Sequence, residues 1–297
     1  MYLTALDILA QHPSDAETFL LSVKPAEPNT IPQHPLDRCL DLFFLNTAEH
    51  FTLVLTAETN EQLLVPGASP YLAAGANSNL LPIFEAAHSM MLAVFAAPQN
   101  ADVTARHLPP YTEALFRVFP DNLSARQFRM AFKTLVRMTT PPAILAQTQP
   151  MLPSVLLEIV QERATHASSS PLPPQPAASA PEAALEAPVH LSEQATLVLT
   201  IIDTLALLPV NLLEEWLSIG AETVNRIEDS AMREYCKDHF WQTLISGEMD
   251  PGRSKVSHAW WTTQGGRDLL LFGREEGDAQ LAQMSGALPD RTGTSKL

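Results

Sequence analysis

Apolar residues at helical spacing, interrupted repeatedly by proline, constrain this chain more than any other feature of its sequence. The stretch "SNLLPIFEAAHSMMLAVFAAP" repeats with a period of about 3.6 residues until Pro98 ends the run. Proline is tolerated in the first turn of a helix and breaks its interior, so this punctuation predicts many short helices. The periodic apolar positions of that stretch are Leu81, Phe84, Ala87, Met91, Val94 and Phe95.

Other segments carry the same signal together with start signals. "HPLDRCLDLFFLNTAEHF" begins at Pro35 and places five apolar residues near one face: Leu36, Leu40, Phe43, Phe44 and Phe51. Ser124 followed by Gln127 fits a capping box, and Ser192 and Asp250 stand where N-caps are expected. After Ser192, one face is predicted to carry Leu197, Ile201, Leu205 and Leu208.

Short connections between successive helices favour antiparallel packing. The sequence therefore predicts an all-α fold, an irregular stack of antiparallel helices similar to an armadillo or HEAT solenoid, although no strict sequence period is present. Residues 51–59, "FTLVLTAET", are the exception, because their β-branched composition also suits a strand. An isolated strand is marginal, so a helix is favoured there.

A segment rich in Pro, Ala and Ser, "HASSSPLPPQPAASAPEAALEAP" at residues 166–188, divides the chain. Such a composition buries too little apolar area to offset the entropy of ordering, so it predicts a disordered linker. It separates a helical array at 1–165 from a Trp-rich helical unit at 189–275, and 276–297 form a flexible tail. An insertion between two helices of one continuous domain is an equal alternative.

The charge of the chain excludes some classes of partner. The formal net charge is −15, from 18 basic and 33 acidic residues, and such a chain repels nucleic-acid phosphates. It has no polybasic cluster for an anionic membrane. Its longest apolar run is broken by Asp203 and ends at Pro209, so this run is too short for a membrane span. Membrane contact is therefore expected to be peripheral and made through proteins.

Sequence motifs of catalytic, nucleotide-binding or metal-binding sites are absent. It has no Walker loop, no H-E-x-x-H and no G-x-S-x-G elbow. Cys236 and His239 share a helix face, but two ligands do not make a zinc site. We therefore expect no metal, no cofactor and no enzymatic activity.

All four tryptophans lie in the second helical unit. Adjacent residues on a helix diverge by about 100°, so Trp260 and Trp261 cannot both face the same core. One of them must meet another helix or a partner protein. Trp and Arg are frequent in interface hot spots, so the stretch of Trp260, Trp261, Gly265, Gly266 and Arg267 is a candidate partner-binding site, with core packing as the alternative.

The chain ends in "RTGTSKL", and Ser295, Lys296 and Leu297 with a free carboxylate form a peroxisomal targeting signal. A receptor reads the carboxylate, the Lys296 ammonium and the Leu297 side chain together, while the small Ser295 permits close approach. The preceding Gly, Thr and Ser residues favour an extended, accessible end. The tail is therefore the predicted targeting site.

A helical chain without catalytic motifs, with "MREYCKDHFWQTLISGEMDPGRSKVSHAWWTTQGGRDLLLFG" at 232–273 and a terminal SKL, resembles the fungal peroxin-8 family. The resemblance implies a peripheral scaffold on the luminal face of the peroxisomal membrane or in the matrix. Its implied partners are the targeting-signal receptor, the docking complex and the RING-finger peroxins. Family members are longer, which implies a C-terminal portion or a shortened form.

Two other interpretations remain open at this point. The chain could be a peroxisomal matrix enzyme with an unrecognised site, or an armadillo-like adaptor whose SKL end is accidental. The absence of catalytic motifs favours an import factor over the enzyme, and the terminal tripeptide favours it over the adaptor.

Overall fold

The computed structural model describes residues 2–74, 77–173 and 190–273. Regular structure in these ranges is helical, and their one isolated β-bridge joins Pro171 to Ser192. The all-α prediction is confirmed. The α-helices are α1 (Tyr2–Leu9), α2 (Pro13–Val23), α3 (Pro35–Ala48), α4 (Ala57–Thr59), α5 (Val65–Ala73), α6 (Leu81–Ala96), α7 (Ala101–Val118), α8 (Ala125–Thr139), α9 (Leu145–Thr148), α10 (Leu152–His166), α11 (Glu193–Thr204), α12 (Val210–Asn225), α13 (Ser230–Ile245), α14 (Pro251–Thr263) and α15 (Gly266–Phe272).

Side-chain caps fix several helix starts where the sequence placed them. The Ser124 hydroxyl accepts from the Gln127 amide at 3.1 Å, and the Gln127 side chain accepts from the Ser124 amide at 3.0 Å. Ser192 accepts from Ala195 at 3.0 Å. Each bond satisfies an amide that the first helical turn leaves without a partner. The predicted capping box and the N-cap at Ser192 are confirmed.

The segment at 51–59 contains no strand. It runs from the end of a 3-10 turn, Glu49–Phe51, through a tight turn into α4. The Gln99 amide donates to the carbonyls of Thr52, Leu53 and Leu55 at 2.9, 3.1 and 3.0 Å. Because one side chain satisfies three carbonyls, the turn needs no neighbouring strand.

The apolar stripe predicted on α3 is only partly buried in the structure. Phe44 and Phe51 are fully buried, whereas Leu36 and Leu40 are 62% and 55% exposed. The prediction that these residues share one buried face is therefore wrong for Leu36 and Leu40, and Phe43 is also 39% exposed. The reason is tertiary, because α3 packs against α5 and α6 through its C-terminal half. The predicted face of α6 is confirmed, and Phe84, Ala87, Met91, Val94 and Phe95 are buried.

Helix α11 is the central helix of the C-terminal half. The four residues predicted to line one face are buried, and so are most residues on its other faces. Neighbouring helices explain this, because α11 packs against α8, α10, α12 and α13. Its buried threonines, Thr196, Thr200 and Thr204, donate to carbonyls of the same helix, so they can lie in the core.

One apolar core runs across the segment at which composition divides the chain. Helix α10 precedes the segment and α11 follows it, and the two helices pack against each other. The Leu172 amide donates to the Leu191 carbonyl at 2.9 Å, and Gln194 donates to Ser168 at 3.1 Å. The remainder of the predicted linker, residues 174–188, lies outside the described residues, as does the predicted tail at 276–297.

No single described helix is long and apolar enough to cross a bilayer. The segments Leu81–Ala96 and Pro98–Val118 meet the length and composition criteria only together, with a bend of 88° between them. In the fold both segments contribute many buried residues to the apolar core.

Candidate partner-binding surface

Trp260, the first residue of the candidate stretch, belongs to the core. It is 2% exposed, and its ring stacks on Phe240 of α13 with centroids 5.7 Å apart. Its indole N–H donates to the Ser218 hydroxyl of α12 at 2.9 Å, which satisfies the one polar atom of the ring. Trp260 thus joins α12, α13 and α14.

The two glycines after α14 have separate roles: Gly265 makes the turn, and Gly266 makes room for the Trp260 ring. Gly265 has φ +77°, the left-handed conformation that ends a helix and that few other residues adopt. A Cβ on Gly266 would come well under 3.0 Å from the Trp260 ring. The pair therefore has a structural part in seating Trp260 and in starting α15.

Trp261 takes the other direction and meets Trp241 of α13. The ring centroids are 4.8 Å apart with an interplanar angle of 38°. Trp241 is 37% exposed, and Ile245, one turn further along α13, is 54% exposed. We call Trp241, Ile245 and Trp261 the tryptophan surface. It is an apolar, aromatic patch that reaches solvent, as expected of an interface hot spot.

Helix α15 carries a further candidate residue and an exposed aromatic ring. Arg267 is exposed in the first turn of α15. Phe272, at the end of the same helix, is 81% exposed. Lys237 of α13 donates to the Leu271 carbonyl at 2.8 Å and so fixes the end of α15 beside α13. The predicted targeting residues Ser295, Lys296 and Leu297 lie outside the described part of the chain.

A partly buried ionic cluster that sequence reasoning missed joins α8, α11 and α13. Arg129 of α8 makes a bidentate salt bridge to Asp203 of α11, at 2.7 and 2.9 Å. His239 of α13 hydrogen-bonds the same carboxylate at 2.7 Å. Burial alone would raise the pKa of Asp203, but the hydrogen bonds from His239 and Arg129 outweigh it and hold that pKa below its usual value. Only the fold brings these three helices together.

Groups capable of chemistry are dispersed or enclosed in this part of the molecule. Burial raises the pKa of the Cys236 thiol to about 12, so it is protonated at neutral pH. His239 is engaged by Asp203 rather than by Cys236. Within residues 2–74, 77–173 and 190–273, no three His, Cys, Asp or Glu side chains converge as a metal site would require.

Comparison with known protein families decides what kind of chain this is. A family profile described as the PEX8 central TPR-like domain matches residues 16–96. A second, described as the PEX8 C-terminal domain, matches residues 102–268, more than half of the chain. The chain belongs to the PEX8 family. The predicted resemblance is confirmed, and the C-terminal domain of PEX8 here contains both the tryptophan surface and the Arg129 cluster.

Two curated relatives show how much of a PEX8-family protein is present. The chain is 27% identical over 248 residues to "Peroxisomal membrane protein PEX17" of Yarrowia lipolytica, covering 78% of this chain and 36% of that protein. It is 21% identical over 260 residues to "Peroxisomal biogenesis factor 8" of Komagataella phaffii, covering 74% of this chain and again 36% of the relative. The chain thus spans about a third of the length of these relatives. No solved structure matches it.

Proposed function

We propose that this chain acts in peroxisome biogenesis, as a factor in the import of matrix proteins. In this proposal it is a non-catalytic scaffold held peripherally at the luminal face of the membrane. There it binds the targeting-signal receptor and bridges the docking and RING-finger peroxins. Membership of the PEX8 family and the names of the relatives support the peroxisomal assignment.

The observation that carries the scaffold role is the tryptophan surface. A contacting, partly exposed tryptophan pair with an isoleucine beside it has the composition of an interface hot spot. The tryptophan surface is held in a fixed position, because the buried Trp260 anchors α14 to α12 and α13. A rigid aromatic patch loses little side-chain entropy when a partner covers it.

We further propose that Ser295, Lys296 and Leu297 direct the chain to the peroxisome and engage the receptor there. The tail and the tryptophan surface would then be two separate contacts with the import machinery. Two linked contacts bind more tightly than either alone when one partner or complex can reach both.

Affinity capture from peroxisomal membranes tests the proposal. The full chain carries an N-terminal tag, which leaves the Leu297 carboxylate free, and captured proteins are identified by mass spectrometry. Recovery of the receptor with docking and RING-finger peroxins is expected. Trp241→Ala combined with Trp261→Ala should reduce that recovery, whereas Met130→Ala, which truncates a side chain 58% exposed on α8, should not. Recovery of no peroxin by the unaltered chain would refute the proposal.

A further inference from the structure

Two cavities meet on the surface of α10, away from the tryptophan surface. One, of about 210 Å³, lies between α7 and α10. The other, of about 410 Å³, lies at the C-terminal end of α10 beside the start of α11. Ile159 and Arg163 line both. The walls of the smaller cavity are mainly apolar and include Leu108, Phe116, Leu152, Val155, Leu156 and Ile159. They also include one carboxylate, Glu113, which is paired with Arg117.

Arg163 stands at the junction of the two cavities. Its guanidinium carbon lies 4.3 Å from the centroid of the Phe116 ring, a cation–π contact that holds the side chain across the apolar groove. Among the salt bridges of the described residues, none involves Arg163. Within the described residues, the groove therefore presents a positioned cation that forms no direct salt bridge.

The larger cavity supplies the opposite charge. Its lining includes Glu162 at the end of α10 and Glu193 in the first turn of α11, together with His166. Neither carboxylate forms a salt bridge with a described residue. An apolar slot, a cation and two carboxylates thus follow one another along the surface of α10.

We propose that this groove binds the free C-terminal peptide of a partner protein whose last residue is apolar and whose penultimate residue is basic. The last side chain occupies the smaller cavity, and its carboxylate pairs with Arg163. The basic side chain then reaches Glu162 and Glu193. The planar, forked guanidinium matches a carboxylate in two-point contact.

The size of the smaller cavity favours a chain end over a helix as its occupant. A cavity of about 150 Å³ accommodates a benzene molecule, so a volume of about 210 Å³ suits one or two aliphatic side chains. A docked amphipathic helix inserts a longer row of residues at i, i+3, i+4 and i+7. The single cation beside a small slot matches one apolar residue that carries its own carboxylate.

Fluorescence anisotropy with purified full-length chain tests this site without any other peroxin. The probe is the dye-labelled hexapeptide Thr-Gly-Thr-Ser-Lys-Leu with a free carboxylate. The chain carries Leu297→Asp, so that its own end does not compete with the probe. Saturable binding is expected, and the C-terminal amide of the same peptide should bind about tenfold more weakly or worse, because a charge-assisted contact is lost.

Variants separate the site from non-specific binding. Arg163→Ala should weaken binding about as much as the amide does, and Arg163→Lys should restore part of it. Val155→Asp places a charge in the apolar slot and should weaken peptide binding. The chain should stay folded, because Val155 is exposed. Arg126→Ala, an exposed cation on α8, is the matched control and should bind like the parent. Equal binding of acid and amide, or full binding by Arg163→Ala, overturns the proposal.

The chain's own end is the rival occupant, since it has the same chemistry. If the chain with Leu297 intact binds the probe much more weakly than Leu297→Asp at equal concentration, the groove holds its own end, and the partner assignment is overturned. Equal affinity of the two chains supports a partner. The anisotropy assay contains only the chain and a peptide. A negative result would therefore refute the peptide groove and leave the proposed scaffold function, which affinity capture tests, unaffected.

Discussion

The ring of Trp260 lies so close to Gly266 that no side chain can be added at that glycine without moving the ring. The same ring is held by Phe240 and by the Ser218 hydroxyl. Three contacts on three sides leave it little freedom to shift. The glycine and the tryptophan therefore form one packing unit.

We expect Gly266→Ala to destabilise the chain by about 1–3 kcal/mol, because overpacking a filled site forces side chains or backbone to move. Gly265→Asn is the matched control, since asparagine accepts the left-handed conformation and the space around Gly265 is open. Urea unfolding followed by circular dichroism measures both. Equal stability of the two variants would contradict the packing argument.

The two kinds of tryptophan should respond differently to truncation. Trp260→Ala is expected to cost about 3–5 kcal/mol, since it empties a buried site. Trp241→Ala should cost clearly less, because more than a third of that side chain is already exposed. The free energies of unfolding of the two purified variants are compared with that of the parent. Similar losses of stability would place Trp241 in the core.

Asp203→Asn should destabilise the chain by about 3 kcal/mol, because it leaves the Arg129 charge partly buried without its partner. Glu113→Gln removes an exposed pair with Arg117 on α7 and should change the free energy of unfolding by less than about 1 kcal/mol. Denaturant titration at neutral pH distinguishes them. A loss for Asp203→Asn no larger than that for Glu113→Gln would show that the cluster stabilises little.

His88 should make the chain less stable as the pH falls. Burial lowers its pKa from 6.5 to about 4, and its Nδ1 lies 2.8 Å from the Tyr111 hydroxyl. Between those values the unfolded chain binds the proton more readily, so stability falls as the pH drops from 6.5 towards 4. The loss is on the order of 3 kcal/mol at pH 4. Unfolding of His88→Gln over this range should show a shallower slope than the parent, and parallel slopes would exclude His88 as the cause.

The general fold was predictable because the 3.6-residue period and the proline positions report on local structure. They predicted α6 and the caps at Ser124 and Ser192, all of which depend on neighbours within a few residues. The face of α3 was not predictable in the same way. Leu36 and Leu40 continue its apolar period, but only the positions of α5 and α6 decide which half is covered.

The candidate sites show the same division. The divergence of Trp260 and Trp261 followed from helix geometry alone, and the structure sends them to Phe240 and Trp241. Arg163 carried no sequence signal, because its partner Phe116 is 47 positions away on another helix. Such pairs become visible only when tertiary packing brings their helices together.

The packing of α10 against α11 has a consequence for how the chain can be cut. Backbone continuity between residues 173 and 190 is not what holds these helices side by side, since their apolar faces and the bonds from Leu172 and Gln194 do so. A protease site engineered between these residues should yield two fragments that remain a single particle in gel filtration. When the same two fragments are co-expressed as separate polypeptides, they should associate into the same complex. Fragment complementation of this PEX8-family chain is therefore expected.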